Sequence, residues 1–574
     1  MKRIDIVRAL SLVGALMGLI AIGCHADAND PAGQANELSD SVRRENAVAN
    51  LQRLYSTALA DAGGDRAAAG PRAIADASIT QLTSTYVDHP EDVSNGEHIL
   101  DLLAEMRDVR SLPALTKALD WRAEVTEEHA IRAATALQNI TLDDAQRGQA
   151  IEAIGSALDR VSQARGVDNR MRIQFLRALG SFHDPRATAA VTRVLERQSE
   201  HQDFLINRLA AEQLGQIADP ASVPQLIRAL YMFAPNNPAM RMNDVAAQAL
   251  VRIGRPALQP LLDTLAGRNT EANQIATAYI AAIRQRDAQA AAQMSAEAVI
   301  SNEAAYALGQ LGFREAIDPL IAEATQLDEG ERADAEEEDA IDQQRILGAG
   351  IALVSINRTD ADTPRIREAL LTVFRRGSLP AKMQILVGMQ HFGDPGLLPF
   401  LLERARRPAR EADEIPDMRV LAFRAYAMLA NGAEMAALQQ VLTTEPEGIC
   451  RDEFVEMQPA ITAATECGED LACWQRKLTD TDVLVVRKST YMLARYGRGN
   501  AEVMGALVAQ LGHANEEVRG EVLYALDFGA TSGSPEAVAR IDALAEAEQG
   551  RQIWEHVEPL ARAVQARLTT RTGQ

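Results

Sequence analysis

Apolar residues along this chain recur at helical spacing, and the helices so predicted recur with a longer period. Arg177-Ala178-Leu179-Gly180-Ser181-Phe182-His183-Asp184-Pro185 lines up with Glu212-Gln213-Leu214-Gly215-Gln216-Ile217-Ala218-Asp219-Pro220. Leu179 and Leu214 are 35 residues apart, and Leu214 and Leu250 are 36 apart. Tyr306-Ala307-Leu308-Gly309-Gln310-Leu311-Gly312 repeats the theme. Leu353 and Met389 are again 36 apart, and Leu493 and Leu526 are 33 apart. A period of this length marks a stack of similar supersecondary units.

Each unit has one internal grammar. Ala210, Leu214 and Ile217 share one helical face. Asp219 is placed to cap the next helix, with Pro220 in its first turn, where a missing N–H costs nothing. Val223, Leu226, Ile227 and Leu230 then form the apolar stripe of a second helix. A lone helical hairpin has two apolar flanks and cannot cover both, so neighbours must stack. The predicted fold class is all-α, an α-solenoid of stacked antiparallel helix pairs. Composition agrees: 47% of the 574 residues are apolar but only 4% aromatic, so Ala, Leu, Val and Ile build the interior. That mixture suits close-packed helices better than strands.

These units resemble HEAT repeats, in particular the short bacterial HEAT-like type, over roughly residues 95–546. The resemblance rests on the recurrent Ala-x-x-Leu-Gly-x-Leu/Ile helix, the Asp-Pro turn and the Leu-rich helix that follows. An armadillo-like superhelix is the neighbouring alternative. Tetratricopeptide repeats fit less well, because the pitch wanders and their Trp/Tyr placements are missing. Regularity breaks at Tyr231–Asp244, a Pro/Asn-containing loop, at residues 268–300, which add an Ala-rich helical piece, and between Leu429 and Leu493. The expected organisation is therefore a leader over 1–23, a flexible polar tether over 24–45 and HEAT-like repeats over 46–268. An irregular helical insert with an acidic segment follows over 269–345, and further repeats over 346–574.

The N-terminus reads as an address. Lys2, Arg3 and Arg8 precede an apolar stretch from Ala9 to Gly23, the layout of a secretory signal. The segment Ala21-Ile22-Gly23-Cys24 resembles a bacterial lipobox, which implies lipidation of Cys24 and a membrane anchor. Ordinary cleavage near Ala26-Asp27-Ala28 is the alternative. His25, rather than Asp, beside the Cys leans towards the outer membrane, facing the periplasm. The chain carries 58 Lys plus Arg against 80 Asp plus Glu, a net charge of −22, which disfavours nucleic acid as a partner. None of the lysines follows a Gly-x4-Gly pattern, so no P-loop is present.

Candidate chemistry is sparse. With Cys24 lipidated, Cys450, Cys467 and Cys473 remain for an oxidising compartment, where a disulfide is expected. Cys467 with Cys473 brackets a turn and a helix start, with Cys450 as the alternative partner of either. No Cys-x2-Cys or neighbouring His supports zinc. Four histidines follow a glutamate (His98, His129, His201 and His556), out of phase with the repeats, and read as surface or turn residues. Asp360-Ala361-Asp362 lacks the rest of a calcium loop. Arg487 and Arg519 hold matching helix positions, and the resemblance to HEAT repeats implies that they pair with turn aspartates of adjacent units.

Neither a catalytic constellation nor a cofactor or metal site emerges. The expected role is a membrane-anchored scaffold in the bacterial cell envelope, binding a protein or peptide along a curved groove lined by second helices. Candidate contact residues are Tyr231, Met232, Phe233, Met240 and Met242, since exposed Met and aromatic side chains mark adaptable surfaces. Glu336, Glu337 and Glu338, from the acidic run, are candidates for a cationic partner. Two alternatives stand beside this one: a HEAT-like lyase that attaches a tetrapyrrole to a protein, and a passive envelope spacer or assembly factor.

Overall fold

The computed structural model describes residues 26–122, 125–163, 169–197, 203–325, 336–406, 416–529, 534–548 and 557–572. Among them the chain is α-helical throughout, apart from short 3-10 turns and one two-stranded hairpin, Phe233–Ala234 with Asn237–Arg241. Helices pair and stack as a solenoid requires. Cys24 and the expected leader lie outside the described residues.

The repeat grammar takes physical form at the turns. Asp108, Asp184, Asp219 and Asp394 each accept the backbone N–H two residues on, opening a 3-10 turn that runs into the second helix. Pro220 begins such a turn, and Val223–Ala229 follows it with Val223, Leu226 and Ile227 buried. The residue ending the first helix is driven into the left-handed region: Ala218 has φ 56°, His183 49°, and Gly254, Gly312 and Gly393 are at 72–76°. The glycine of the Leu-Gly motif has a different task. A Cβ on Gly215 would lie 2.8 Å from Cα of Ala249, and one on Gly309 2.7 Å from Cα of Ala352. Successive first helices can approach this closely only where that side chain is missing.

Two compact units are present, one of residues 1–194 with 199–206, the other of 195–198 with 207–574. This division coincides with neither of the expected boundaries at 269 and 346. In the first unit the expected flexible tether is folded over its described part. Asp30 caps helix Pro31–Glu37, and Gln34, Ala35 and Leu38 are buried. Arg44 then opens helix Arg44–Asp61, its buried guanidinium 2.6 Å from Asp92. A polar segment folds here because its few apolar residues meet an existing helix pair and its polar ones find partners: Gln34 donates to the carbonyls of Ala26 and Asp27.

His129 is likewise not at the surface. Its Nε2–H donates to the Val93 carbonyl and its Nδ1 accepts from the Tyr86 hydroxyl at 2.9 Å. Burial pushes its pKa below the ordinary histidine value, and the Tyr86 phenol is pushed up by the same cause. It is a satisfied core histidine.

In the second unit the first helices form a closed row. Asn243–Ile253 packs on Ala296–Leu311, which packs on Glu336–Ser355, then Leu379–Phe392, Pro416–Leu429, Val483–Tyr496, Glu516–Gly529 and Val557–Thr572 in turn. The last of these returns to pack on Asn243–Ile253 and Ala296–Leu311. Arg567, on the last helix, locks the closure: its Nη1 donates to the Gln310 carbonyl at 2.9 Å and its Nη2 lies 2.5 Å from Asp527. First helices therefore face the middle of this ring, and side chains bond across it. Gln390 donates to the Tyr491 hydroxyl and to Glu521. The expected groove lined by second helices does not describe this unit.

Candidate functional site

The C-terminal ends of four first helices meet at one end of the ring and bound a pocket of about 610 Å³. Helix ends gather cations, because their last carbonyls lack intrahelical donors. At the end of helix Pro416–Leu429, buried Lys488 donates to the carbonyls of Met428 and Ala430 at 2.7 and 2.5 Å, and Arg495 donates to that of Leu429 at 2.9 Å. Together they close off helix Pro416–Leu429. Burial, with Arg495 nearby, pushes the Lys488 ammonium well below the ordinary lysine value.

One wall of the pocket is a polar network built on His391. The Tyr491 hydroxyl lies 3.1 Å from its Nδ1, the Tyr524 ring stacks on it at 4.1 Å, and Glu521 stands 3.7 Å away. Glu521 is in turn held by Arg487 at 2.8 Å. Burial lowers the His391 pKa against the opposing pull of Glu521, and burial pushes the Tyr524 phenol up to about 12.

The remaining lining is charged. Arg367 is held by Asp394 at 3.0 Å, and Asp527 is held by Arg567. Arg498 reaches the fully exposed Asp360 only loosely, at 3.6 Å. Arg358 stands apart. Its guanidinium lies 3.8 Å over the Phe392 ring and 5.3 Å from that of Phe528, and it donates to the Phe392 carbonyl. No carboxylate of the described residues is within ion-pair distance of it. Desolvation brings its pKa down to about 10, although Asp394 pulls the other way. Among the described residues no cluster of three or more His, Cys, Asp or Glu is arranged to hold a metal, and no helix is long and apolar enough to cross a membrane.

The residues singled out from sequence fall elsewhere. Cys467 and Cys473 are joined in a disulfide, with Asp470 capping helix Leu471–Lys477, which carries Cys473; Cys450 is a buried thiol that burial pushes up. Tyr231, Met232 and Met242 are core, not surface: the hairpin folds back, and the Tyr231 hydroxyl donates to the Ile300 carbonyl at 3.1 Å. Phe233 is half-buried against Tyr279, and Met240, 36% exposed, is the one clearly accessible member of that set. Glu336, Glu337 and Glu338 open helix Glu336–Ser355, but their side chains lie outside the described residues, as do His201 and His556. Arg487 and Arg519 pair with helix glutamates, Glu517 and Glu521 for the first and Glu548 for the second, rather than with turn aspartates. The pocket has no signature in the sequence because its parts come from four separate stretches. A usable signal existed in Tyr491 and Tyr524, polar aromatics 33 residues apart at one repeat position.

The model of the PBS lyase HEAT-like repeat matches residues 207–231 and 302–323. Each match falls on one helix pair of the second unit. The crystal structure of an engineered protein aligns at 17% identity over 94% of this chain and 99% of that one, with a TM-score of 0.20. A chain from work on a phosphorylation switch in the cadherin and beta-catenin interaction aligns at 14% identity, over 93% and 100%, with a TM-score of 0.25. No curated protein matches. The chain thus carries, at residues 207–231 and 302–323, repeats similar to the HEAT-like repeats of PBS lyases.

Proposed function

We propose that this protein is a HEAT-type scaffold, tethered to the bacterial cell envelope by a lipid on Cys24, that holds a protein or peptide segment. The observation that carries the binding reading is the pocket at the helix ends. It is of ligand size, its walls mix aromatic rings with side chains fixed by partners, and one of its arginines has no acid partner among the described residues. An exported location is supported by the leader-like N-terminus and by the Cys467–Cys473 disulfide, since such bonds persist in oxidising compartments. His25 beside the Cys supports the outer membrane, with the body facing the periplasm, over the inner one.

Two experiments test this. Metabolic labelling with palmitate should mark the wild type and not Cys24→Ser, which should also leave the membrane fraction. A photocrosslinking residue at Thr363, on the pocket, should give a discrete protein adduct in native envelope, whereas one at exposed Val455 should not. Adducts from neither position would favour a passive spacer. A chromophore or tetrapyrrole co-purifying from the envelope would favour the lyase reading.

A further inference from the structure

Arg358 poses a problem of charge. Six ionisable acids and arginines line the pocket, and within them the pairs are settled: Arg367 with Asp394, and Arg498 loosely with Asp360. Asp527 is taken by Arg567 from behind. What remains over is the Arg358 guanidinium, in a protein whose net charge is −22. One of its five N–H groups is used by the Phe392 carbonyl, and its face is covered by the Phe392 ring. A partly buried charge with no counter-ion among the described residues is costly, and an acid-rich chain had many carboxylates from which to supply one.

We infer that the pocket receives a single carboxylate borne on a flat apolar body, and that Arg358 is the group that receives it. This rests on the binding reading above and gives it a chemistry. The planar guanidinium fork matches a carboxylate with two parallel hydrogen bonds. Asp360, Asp394 and Asp527 line the same space, so a dianion such as phosphate would be repelled where a monoanion is tolerated. The rings of Phe528 and Tyr524 offer flat walls, and the Tyr524 hydroxyl, which has no hydrogen bond among the described residues, is left to bind a polar atom next to the acid. The same chemistry could come from the terminal carboxylate of a peptide or from a small aromatic acid.

The test is calorimetric titration of the full chain in mild detergent with two probe pairs. One is N-benzoylglycine and its amide; the other is acetyl-Gly-Gly-Phe with a free or an amidated C-terminus. In at least one pair the acid should bind tenfold or more tighter than the amide. Arg358→Met should remove that preference, and Arg358→Lys, which keeps the charge but loses the fork, should reduce it several-fold. Preference confined to the peptide pair identifies a chain terminus as the source; preference confined to benzoylglycine identifies a small acid. Should Arg358→Met fail to fold, by circular dichroism, the Lys variant decides alone. The inference is overturned if neither pair shows a preference for the acid, or if the preference survives in the variants. An adduct at Thr363 with no acid preference would sink this inference while leaving the scaffold reading intact.

Discussion

Arg567 bears the closure of the second unit, and replacing it by methionine isolates that contribution. Methionine keeps an unbranched apolar stem and removes the charge together with the guanidinium donors. Arg567 is 1% exposed and its partner Asp527 11%, so the pair is shielded from water on both sides. Breaking a buried pair by deleting one partner costs about 3–5 kcal/mol, because the surviving charge loses the opposite charge that offset its burial. The orphaned Gln310 carbonyl is part of that figure, at about 1 kcal/mol. Repeat arrays can unfold in stages, so the readout must be local. Hydrogen exchange should accelerate in Val557–Thr572 and in the two helices it closes the row against, Asn243–Ile253 and Ala296–Leu311, far more than in Pro416–Leu429. A double variant, Arg567→Met with Asp527→Leu, should recover most of the loss, since both members of the pair are then apolar. If the single change costs less than about 1 kcal/mol, or if exchange rises evenly around the unit, the ring is held by something other than this pair.

Further predictions concern strain, packing and protons. Ala218→Gly should stabilise the second unit by about 0.5–1 kcal/mol, as left-handed strain of about 1–2 kcal/mol is relieved against the greater flexibility of unfolded glycine; urea denaturation reads it. Gly309→Ala should cost about 1–3 kcal/mol by forcing a methyl against the Ala352 backbone. Gly520→Ala, where nothing lies within 4 Å, should gain about 0.5–1 kcal/mol; similar effects at Gly309 and Gly520 would refute the close-approach argument. His129 has its folded pKa lowered by burial, so the folded chain stays neutral where the unfolded chain takes up a proton. Its stability contribution is full above an unfolded pKa of about 6.5 and falls by up to about 1.4 kcal/mol per unit as pH drops below it. His129→Asn should flatten that slope below about pH 6.5, measured by urea midpoints.

The helix pairs were legible because what specifies them is local. Leu214, Ile217, Leu226 and Ile227 sit at helical spacing, Asp219 and Pro220 mark the turn between them, and the structure buries the four and caps the turn as that pattern demands. Composition misled where burial depended on neighbours. Residues 31–38 are polar on average and still fold, because Ala35 and Leu38 meet a surface already built. Tyr231 and Met242 resemble a sticky loop until the hairpin places them inside.

By itself the sequence determined the kind of unit, its period and its need for neighbours. These follow from contacts within about forty residues, where backbone geometry and side-chain spacing leave few choices. Only the tertiary structure decided that the second unit's row returns on itself, and that Arg358 is left over while Arg567 is consumed. Both are arginines on or beside amphipathic helices, alike in local setting. What separates them is a partner: Gln310 lies 257 residues from Arg567 in the chain, and Asp527 lies 40 away. Curvature accumulates as small rotations from one helix pair to the next, so the meeting of the ends depends on every interface between them and on no single motif.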